Sequence, residues 1–382
     1  MMCCKNIIAV LLLLAITIGC SQQLHLLKSG VENWNTWREE NTTVVPDLAR
    51  ANLDSANLGE ANLLKANLDS ANLDNANLDN ANLEEATLWG ATLRGADLAG
   101  ADLGGARLVE ADLAEANLEG VNLDHANLEG ANLEGVNLDS ANLEGANLDN
   151  ANLAGASLWG ADLRGAHLAG ADLGDACLVE ADLRGTNLEE VNLDNDNLDS
   201  ADLEGAYLDN ADLGGARLRG AHLRGAFLGG AFLVEANLQG ATLDSADLRE
   251  ANLRGARLAG AHLAEADLRK ANLKDANLEK ANLWGADLRG ANLRGALLEG
   301  ADIWEADLRG ANLHGVDLCN VESFYKAKLD PGIVSEIKTR WPEKFATLLD
   351  VGSMDWVIDT TLLEQVKSPE WQGWQEKEDQ DK

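Results

Sequence analysis

Apolar and polar positions alternate in a fixed five-residue pattern from Pro46 to Asn320. The stretch reads Ala-Asn-Leu-x-x or Ala-Asp-Leu-x-x without a slip in register, 275 residues or 55 units of five. The third position is Leu in every unit except the one holding Ile303, and the first is Ala except at Pro46, Val121, Val136, Thr186, Val191, Asp196 and Val316. A step of five on an α-helix rotates by about 140°, which would scatter Ala and Leu around the surface and bury nothing. In extended chain, residues two apart share a face, so Ala and Leu point inward together and the Asn or Asp between them points out. The two remaining residues, often ending in Gly, make a corner. Each unit is then one short side of a coil, and the pattern predicts a β-solenoid with a Leu/Ala interior.

A slower rhythm gives the number of sides. Ala-Asp-Leu-Arg begins at Ala246, Ala266, Ala286 and Ala306, a period of 20 or four units per turn. Tandem units of this kind resemble the pentapeptide-repeat family. The resemblance implies an all-β fold, a right-handed quadrilateral parallel β-helix with four units per coil. At ~4.8 Å per coil the repeats would make a rod of roughly 65 Å.

The flanks predict short helical ends. Val31, Trp34 and Trp37 are spaced to share a helical face, and Ser29-Gly30-Val31-Glu32 fits a capping box. Residues 20–45 are read as a tether and a capping helix over the first coil. Residues 321–349 are read as a cap at the other end: Asp330-Pro331 starts one helix, with Ile333, Val334 and Ile337 as its apolar stripe, and Pro342 opens a second. Residues 350–382 read as a poorly ordered tail.

Met1–Gly19 carries Lys5 and then an apolar run from Ile7 to Ile18, too short to span a bilayer but suited to a secretory leader. Ile16-Thr17-Ile18-Gly19-Cys20 resembles a bacterial lipobox, which makes Cys20 the expected first mature and lipidated residue. Ser21 follows it, not the Asp that signals inner-membrane retention in enteric bacteria, so the outer membrane is the expected address.

Composition narrows the function. A chain that is 46% hydrophobic but only 4% aromatic suits a solenoid, where each Leu meets the Leu of the next coil. A net charge of −34 argues against nucleic-acid binding. Cys177 and Cys319 lie seven coils apart and cannot pair within one rod. The sequence holds no catalytic constellation and no cofactor motif. His222 and His262 occupy equivalent slots two coils apart, too far for a shared metal.

Three surface or lumen features stand out. Glu119, Asp124, Glu129, Glu134, Asp139, Glu144 and Asp149 fill successive corners as an acidic collar, whose like charges one coil apart would suit divalent cations or a basic partner. Near the C-terminal end, Arg249, Arg269, Arg289 and Arg309 form one basic ladder, and Arg254, Lys274, Arg294 and His314 a second. Trp284 and Trp304 flank the first, an arrangement suited to an anionic envelope polymer or lipid headgroup. Asp196 sits in an inward Ala slot, where a locally widened, hydrated coil is expected. The reading that follows is a non-enzymatic, membrane-anchored rod that binds a protein or an anionic envelope component. Its rival comes from the resemblance: some pentapeptide-repeat proteins are acidic DNA mimics that bind gyrase.

Overall fold

The computed structural model describes residues 19–318, 320–323 and 326–340. The leader up to Ile18, Cys319, the expected helix from Pro342 and the expected tail lie outside the described residues.

The repeats wind as a parallel β-helix with four units per coil. Each second-position residue bridges its counterpart 20 residues on, in parallel, from Asp47↔Asn67 to Asn292↔Asn312. The first and third positions line the lumen, where every Leu from Leu53 to Leu293 is at most 1% exposed. The corner forms because the third-position carbonyl accepts the N–H of the next unit's first residue, as Leu53 does from Ala56 at 3.0 Å. The fifth residue takes a left-handed backbone at every unit from Arg50 to Gly315, the arrangement of a type II turn. Such corners favour Gly or Asn, but Glu, Ser and Lys hold the same conformation here.

The five amides of a unit account for themselves almost completely. The third-position N–H donates to the next coil's second-position carbonyl, as Leu53 does to Asn72 at 2.7 Å. The fifth donates to the next coil's fourth-position carbonyl, as Ser55 does to Asp74 at 2.8 Å, and the second donates back to the preceding coil, as Asn72 does to Ala51 at 2.9 Å. The first closes the corner. Only the fourth amide lacks a backbone acceptor, and the second-position side chain supplies one: Asp54 N–H donates to Asn52 Oδ1 at 3.1 Å, and Asp79 N–H to Asn77 Oδ1 at 2.8 Å. The recurring Asn or Asp is therefore structural. Where that slot holds Thr87, Thr92, Ser157, His167, Arg217 or His262, an Asp one coil back takes over. Trp89 N–H then donates to Asp69, Arg94 to Asp74, Trp159 to Asp139, Ala169 to Asp149, Arg219 to Asp199 and Ala264 to Asp244.

Two helices precede the first coil, α1 (Cys20–Lys28) and α2 (Val31–Glu40). Their side chains stand where a preceding coil would be. Trp34, fully buried, donates Nε1–H to Asn62 O at 2.8 Å, and Arg38 donates to Val44 O and Leu64 O. Asn35 Oδ1 accepts Asn62 N–H, and Gln23 Oε1 accepts Asp47 N–H. The expected capping box does not form. Ser29 ends α1 and donates its hydroxyl to Leu26 O, while Gly30, at φ 135°, precedes α2 without a side-chain cap. No separate tether stands between Cys20 and the rod, because Cys20 is the first residue of α1.

The other end also differs from the expected boundary at Asn320. The coil continues with one extra residue: Glu322 N–H donates to Ala301 O, yet Ile303 N–H donates to Ser323 O, so two residues oppose Asp302 as in a β-bulge. Register resumes 21 residues apart at Asp307↔Lys328. The third helix, α3 (Pro331–Arg340), then begins at the expected Pro, with Ile333 buried. Asp330 Oδ2 accepts Gly310 N–H from the coil below.

One joint in the rod is loosened. Gly170, Leu173, Asp175 and Asn192 fall short of the inter-coil hydrogen-bond geometry that their counterparts elsewhere reach, although Asp172 and Asn192 stay paired in register. Val191 and Asp196 fill the inward slots beside this joint. Volume is not the cause, since Val121 and Val136 occupy the same slot with their rungs intact. Asp196 is 0% exposed; its Oδ1 accepts Ala176 N–H at 2.9 Å and its Oδ2 has no partner. Burial, reinforced by Asp175, Asp172 and Asp194 nearby, pushes its carboxyl up to about 8. Near neutrality it is therefore a neutral acid in an aliphatic lumen. Thr186, two units before, avoids this problem by donating its hydroxyl to Leu163 O at 2.8 Å.

Asp196→Ala will stabilise the rod, because Ala176 N–H keeps its bond to Leu173 O at 2.7 Å. Below about pH 4 Asp196 is protonated folded or unfolded. Between about pH 4 and 8 only the folded state keeps the proton, so wild-type stability falls by up to ~1.4 kcal/mol per pH unit. Above about pH 8 the loss levels off. Melting temperatures of wild type and Asp196→Ala across this range will diverge as pH rises; parallel curves would contradict the assignment.

Candidate functional site

The outside of the rod has four sides and four corners per coil, and every surface feature is a column at 20-residue spacing. The Ala-Asp-Leu-Arg unit places Asp and Arg on the same outward face, since the Leu between them points into the lumen. Arg269 donates Nε–H and Nη2–H to Asp267 at 2.8 and 2.5 Å, and its Nε lies 3.7 Å from Asp287 of the next coil. Arg289 forks onto Asp287 and Arg309 onto Asp307 in the same way, and Arg249 pairs with Asp247. The first basic ladder is thus half of an alternating ion ladder. Hydrogen bonding to Arg289 holds Asp287 below the usual carboxylate range, and Arg249 does the same to Asp247. A second ladder of this kind, unremarked in the sequence reading, links Glu144, Arg164, Asp162, Asp182, Arg184 and Asp202.

The second basic column is different. Arg254, Lys274 and Arg294 follow Asn252, Asn272 and Asn292, which offer no charge and instead hydrogen-bond to one another up the rod. Among the described residues these three cations make no ion pair. His314 continues the column and is exposed. Trp284 and Trp304, 40% and 41% exposed, share a corner column that adjoins the neutralised ladder and lies diagonally across from the free one. The indoles and the unpaired cations therefore do not form one site. The physical reason is the residue two before each Arg, Asp in one column and Asn in the other.

The acidic collar is stacked as expected, with Asn117↔Asn137, Asn122↔Asn142 and Asn127↔Asn147 setting Glu119, Asp124 and Glu129 one coil below Asp139, Glu144 and Asp149. The upper members already have partners. Asp139 Oδ1 accepts Ser157 Oγ–H and Trp159 N–H, Glu144 pairs with Arg164 at 2.7 Å, and Asp149 Oδ1 accepts Ala169 N–H. Asp124 lies 3.7 Å from His125 Nε2. Among the described residues no group of three or more His, Cys, Asp or Glu is placed to hold a metal ion. Nor is any described helix long and apolar enough to cross a membrane.

A family model, pentapeptide repeats, matches in eight copies at residues 47–84, 76–114, 116–153, 146–185, 176–215, 216–255, 246–285 and 286–322. The chain belongs to the pentapeptide-repeat family. That membership implies the right-handed hand of the quadrilateral β-helix. Pentapeptide-repeat proteins are generally non-enzymatic structural or interaction modules. Among solved structures the chain is similar to HetL, a pentapeptide-repeat protein involved in heterocyst differentiation regulation from the cyanobacterium Nostoc sp. strain PCC 7120. Identity is 38%, over 59% of this chain and 89% of HetL, with a TM-score of 0.42. It is also similar to Rfr23 from the cyanobacterium Cyanothece 51142, at 27% identity over 39% of this chain and 91% of that one, TM-score 0.19. Full-length QnrB1, a plasmid-mediated fluoroquinolone resistance protein, is similar at 17% identity over 55% and 96%, TM-score 0.24. No curated protein matches the chain.

The sequence reading missed one surface. Tyr207, Phe227 and Phe232, with exposures of 43%, 40% and 50%, fill second-position slots that elsewhere hold mostly Asn or Asp. Departure from Asx in that slot was the available signal.

The pairing difference between the basic columns is measurable. Arg254→Glu/Arg294→Glu will weaken retention of this pentapeptide-repeat rod on heparin more than Arg269→Glu/Arg289→Glu. The latter pair will instead lower the melting temperature at low salt by exposing Asp267, Asp287 and Asp307 to one another, a loss that shrinks as salt rises. Equal retention of the two variants would contradict the pairing.

Proposed function

We propose that this pentapeptide-repeat protein is a non-enzymatic rod, held by lipid on Cys20 at the bacterial cell envelope, where its columns of side chains serve as an interaction surface. The carrying observation is the position of the lipobox-like Ile16-Thr17-Ile18-Gly19-Cys20 directly before α1. Gln23, only three residues after Cys20, already bonds the first coil, and Leu27 is buried in the core. An acyl chain on Cys20 would therefore hold the rod close to the bilayer rather than on a long leash. In this reading α1 and α2 cap the membrane-proximal end, and α3 begins the cap of the distal one. The unpaired column of Arg254, Lys274 and Arg294 is the part best suited to an anionic envelope component.

Intact-mass analysis of the mature protein tests the reading. The expected species begins at Cys20, carries acyl groups, partitions into membranes, and becomes soluble when Cys20→Ala replaces the thiol. A chain that keeps Met1 and stays in the cytosol would overturn it and return the acidic DNA-mimic reading to the front.

A further inference from the structure

The coil does not need the aromatic surface to satisfy its backbone. Tyr207 and Phe227 stack one coil apart with ring centroids 5.1 Å apart and planes 6° from parallel. Phe232 lies on the adjoining side of the same coil as Phe227, beyond the corner Gly229–Gly230. That corner has no side chain of its own; Asp209 Oδ1 and Asn210 Oδ1 of the coil below reach over it, 2.6 and 2.7 Å from where a Cβ on Gly229 and on Gly230 would stand. No side chain stands between the two phenylalanines along the chain other than buried Leu228 and Ala231. Half-buried Val234 extends the surface past Phe232.

These aromatics carry a structural cost. Each replaces the Asn or Asp that would accept the fourth-position amide, and the N–H groups of Asp209, Gly229 and Val234 donate to no protein acceptor among the described residues. An Asn in any of the three slots would serve the coil better. Large exposed rings held in slots that the fold fills more favourably with amides mark a surface kept for contact.

The surroundings specify the partner. Glu189, Asp209, Asp194 and Asp212 border the rings on the N-terminal side. Between Arg107 and Arg217 the chain has only two basic residues besides histidine, Arg164 and Arg184, and both sit inside an ion ladder. The nearest C-terminal cation at this corner, Arg249, is paired with Asp247. Arg217, Arg219 and His222 lie on the two sides facing away, Arg224 at the corner before Phe227 stands 4.0 Å from Asp244, and Arg254, one coil above Val234, marks the C-terminal limit of the acidic surroundings. We propose that the Gly229–Gly230 corner, with Tyr207, Phe227 and Phe232, docks a basic segment of a partner protein that sets apolar side chains beside lysine or arginine. The rings take the apolar groups and the carboxylates flanking them take the cations.

The test uses the full chain and fluorescence anisotropy with three short labelled peptides: one rich in Leu and Lys, one of equal charge with Ser for Leu, and one with Glu for Lys. Net charge alone attracts both Lys peptides, so the reading is the ratio between them. The Leu/Lys peptide is expected to bind roughly tenfold tighter than the Ser/Lys peptide, and the Leu/Glu peptide not to bind. Phe227→Asn/Phe232→Asn is expected to melt no lower than wild type, because Asn restores the amide acceptors, and to bring the two Lys peptides to equal affinity. Should the double variant lose the fold, Phe232→Asn alone gives the same reading from one side of the corner. A preference that survives these substitutions would overturn the proposal. So would the absence of any preference in the wild type, or wild-type binding to phosphatidylcholine vesicles that Phe227→Asn/Phe232→Asn abolishes.

Discussion

One constraint governs this rod: each five-residue unit must find acceptors for five amides without a partner from any distant segment. Stacking in register satisfies three of them between coils, and the corner satisfies a fourth. None of these four bonds depends on side-chain identity. The last one does, and it selects Asn or Asp at the second position, or Asp at the corner one coil below. The interior then needs only to be uniform. Leu on Leu and Ala on Ala at coil spacing fill the lumen, and an aliphatic stack of that kind supplies most of the stability. Stability is local in such an array, so a fault stays local too. The weakened rungs at Gly170, Leu173, Asp175 and Asn192, beside a buried acid, leave the coils on either side intact.

With the backbone and lumen satisfied this way, the outer columns are free to vary, but electrostatics limits how. Like charges recur at coil spacing and repel. Two solutions appear. The Asp-Leu-Arg triplet interleaves opposite charges along a side, so a column that reads as basic is close to neutral. Asn columns hydrogen-bond to themselves and carry no charge, which leaves Arg254, Lys274 and Arg294 unpaired above them. The charge that remains after these pairings, and not the count of lysines and arginines, is what a partner meets. It is strongly negative through the middle of the rod and mixed toward the C-terminal end.

Much of this was legible in the residues. The five-residue period excluded a helix, the inward Ala and Leu fixed the faces, and the recurrence of Ala-Asp-Leu-Arg gave four units per coil. The features that escaped were those that need a neighbour one coil away or a register partner. Asp267 and Arg269 are two residues apart, yet their pairing follows only once Leu268 is known to point inward and Asp287 is known to lie alongside. The bulge at Glu322–Ser323 is a single inserted residue, visible only against Asp302. Ser29 met the capping-box pattern, but α1 had first claim on it, because its hydroxyl closes the preceding helix. The aromatic slots were overlooked because their cost is an unmade amide bond, which exists only after the fourth-position donor has been counted.

Native-state hydrogen exchange resolved by residue tests the central claim most directly, since the account assigns a partner to each amide of the unit. Protection should be high at the second, third and fifth positions throughout the rod, carried by inter-coil bonds, and should dip at Gly170, Leu173, Asp175 and Asn192. Fourth-position amides should exchange faster where the slot before them holds Tyr207, Phe227 or Phe232 than where it holds Asn. Uniformly fast exchange at the leucine amides, or protection repeating with a helical period, would show that the chain does not wind in stacked four-unit coils.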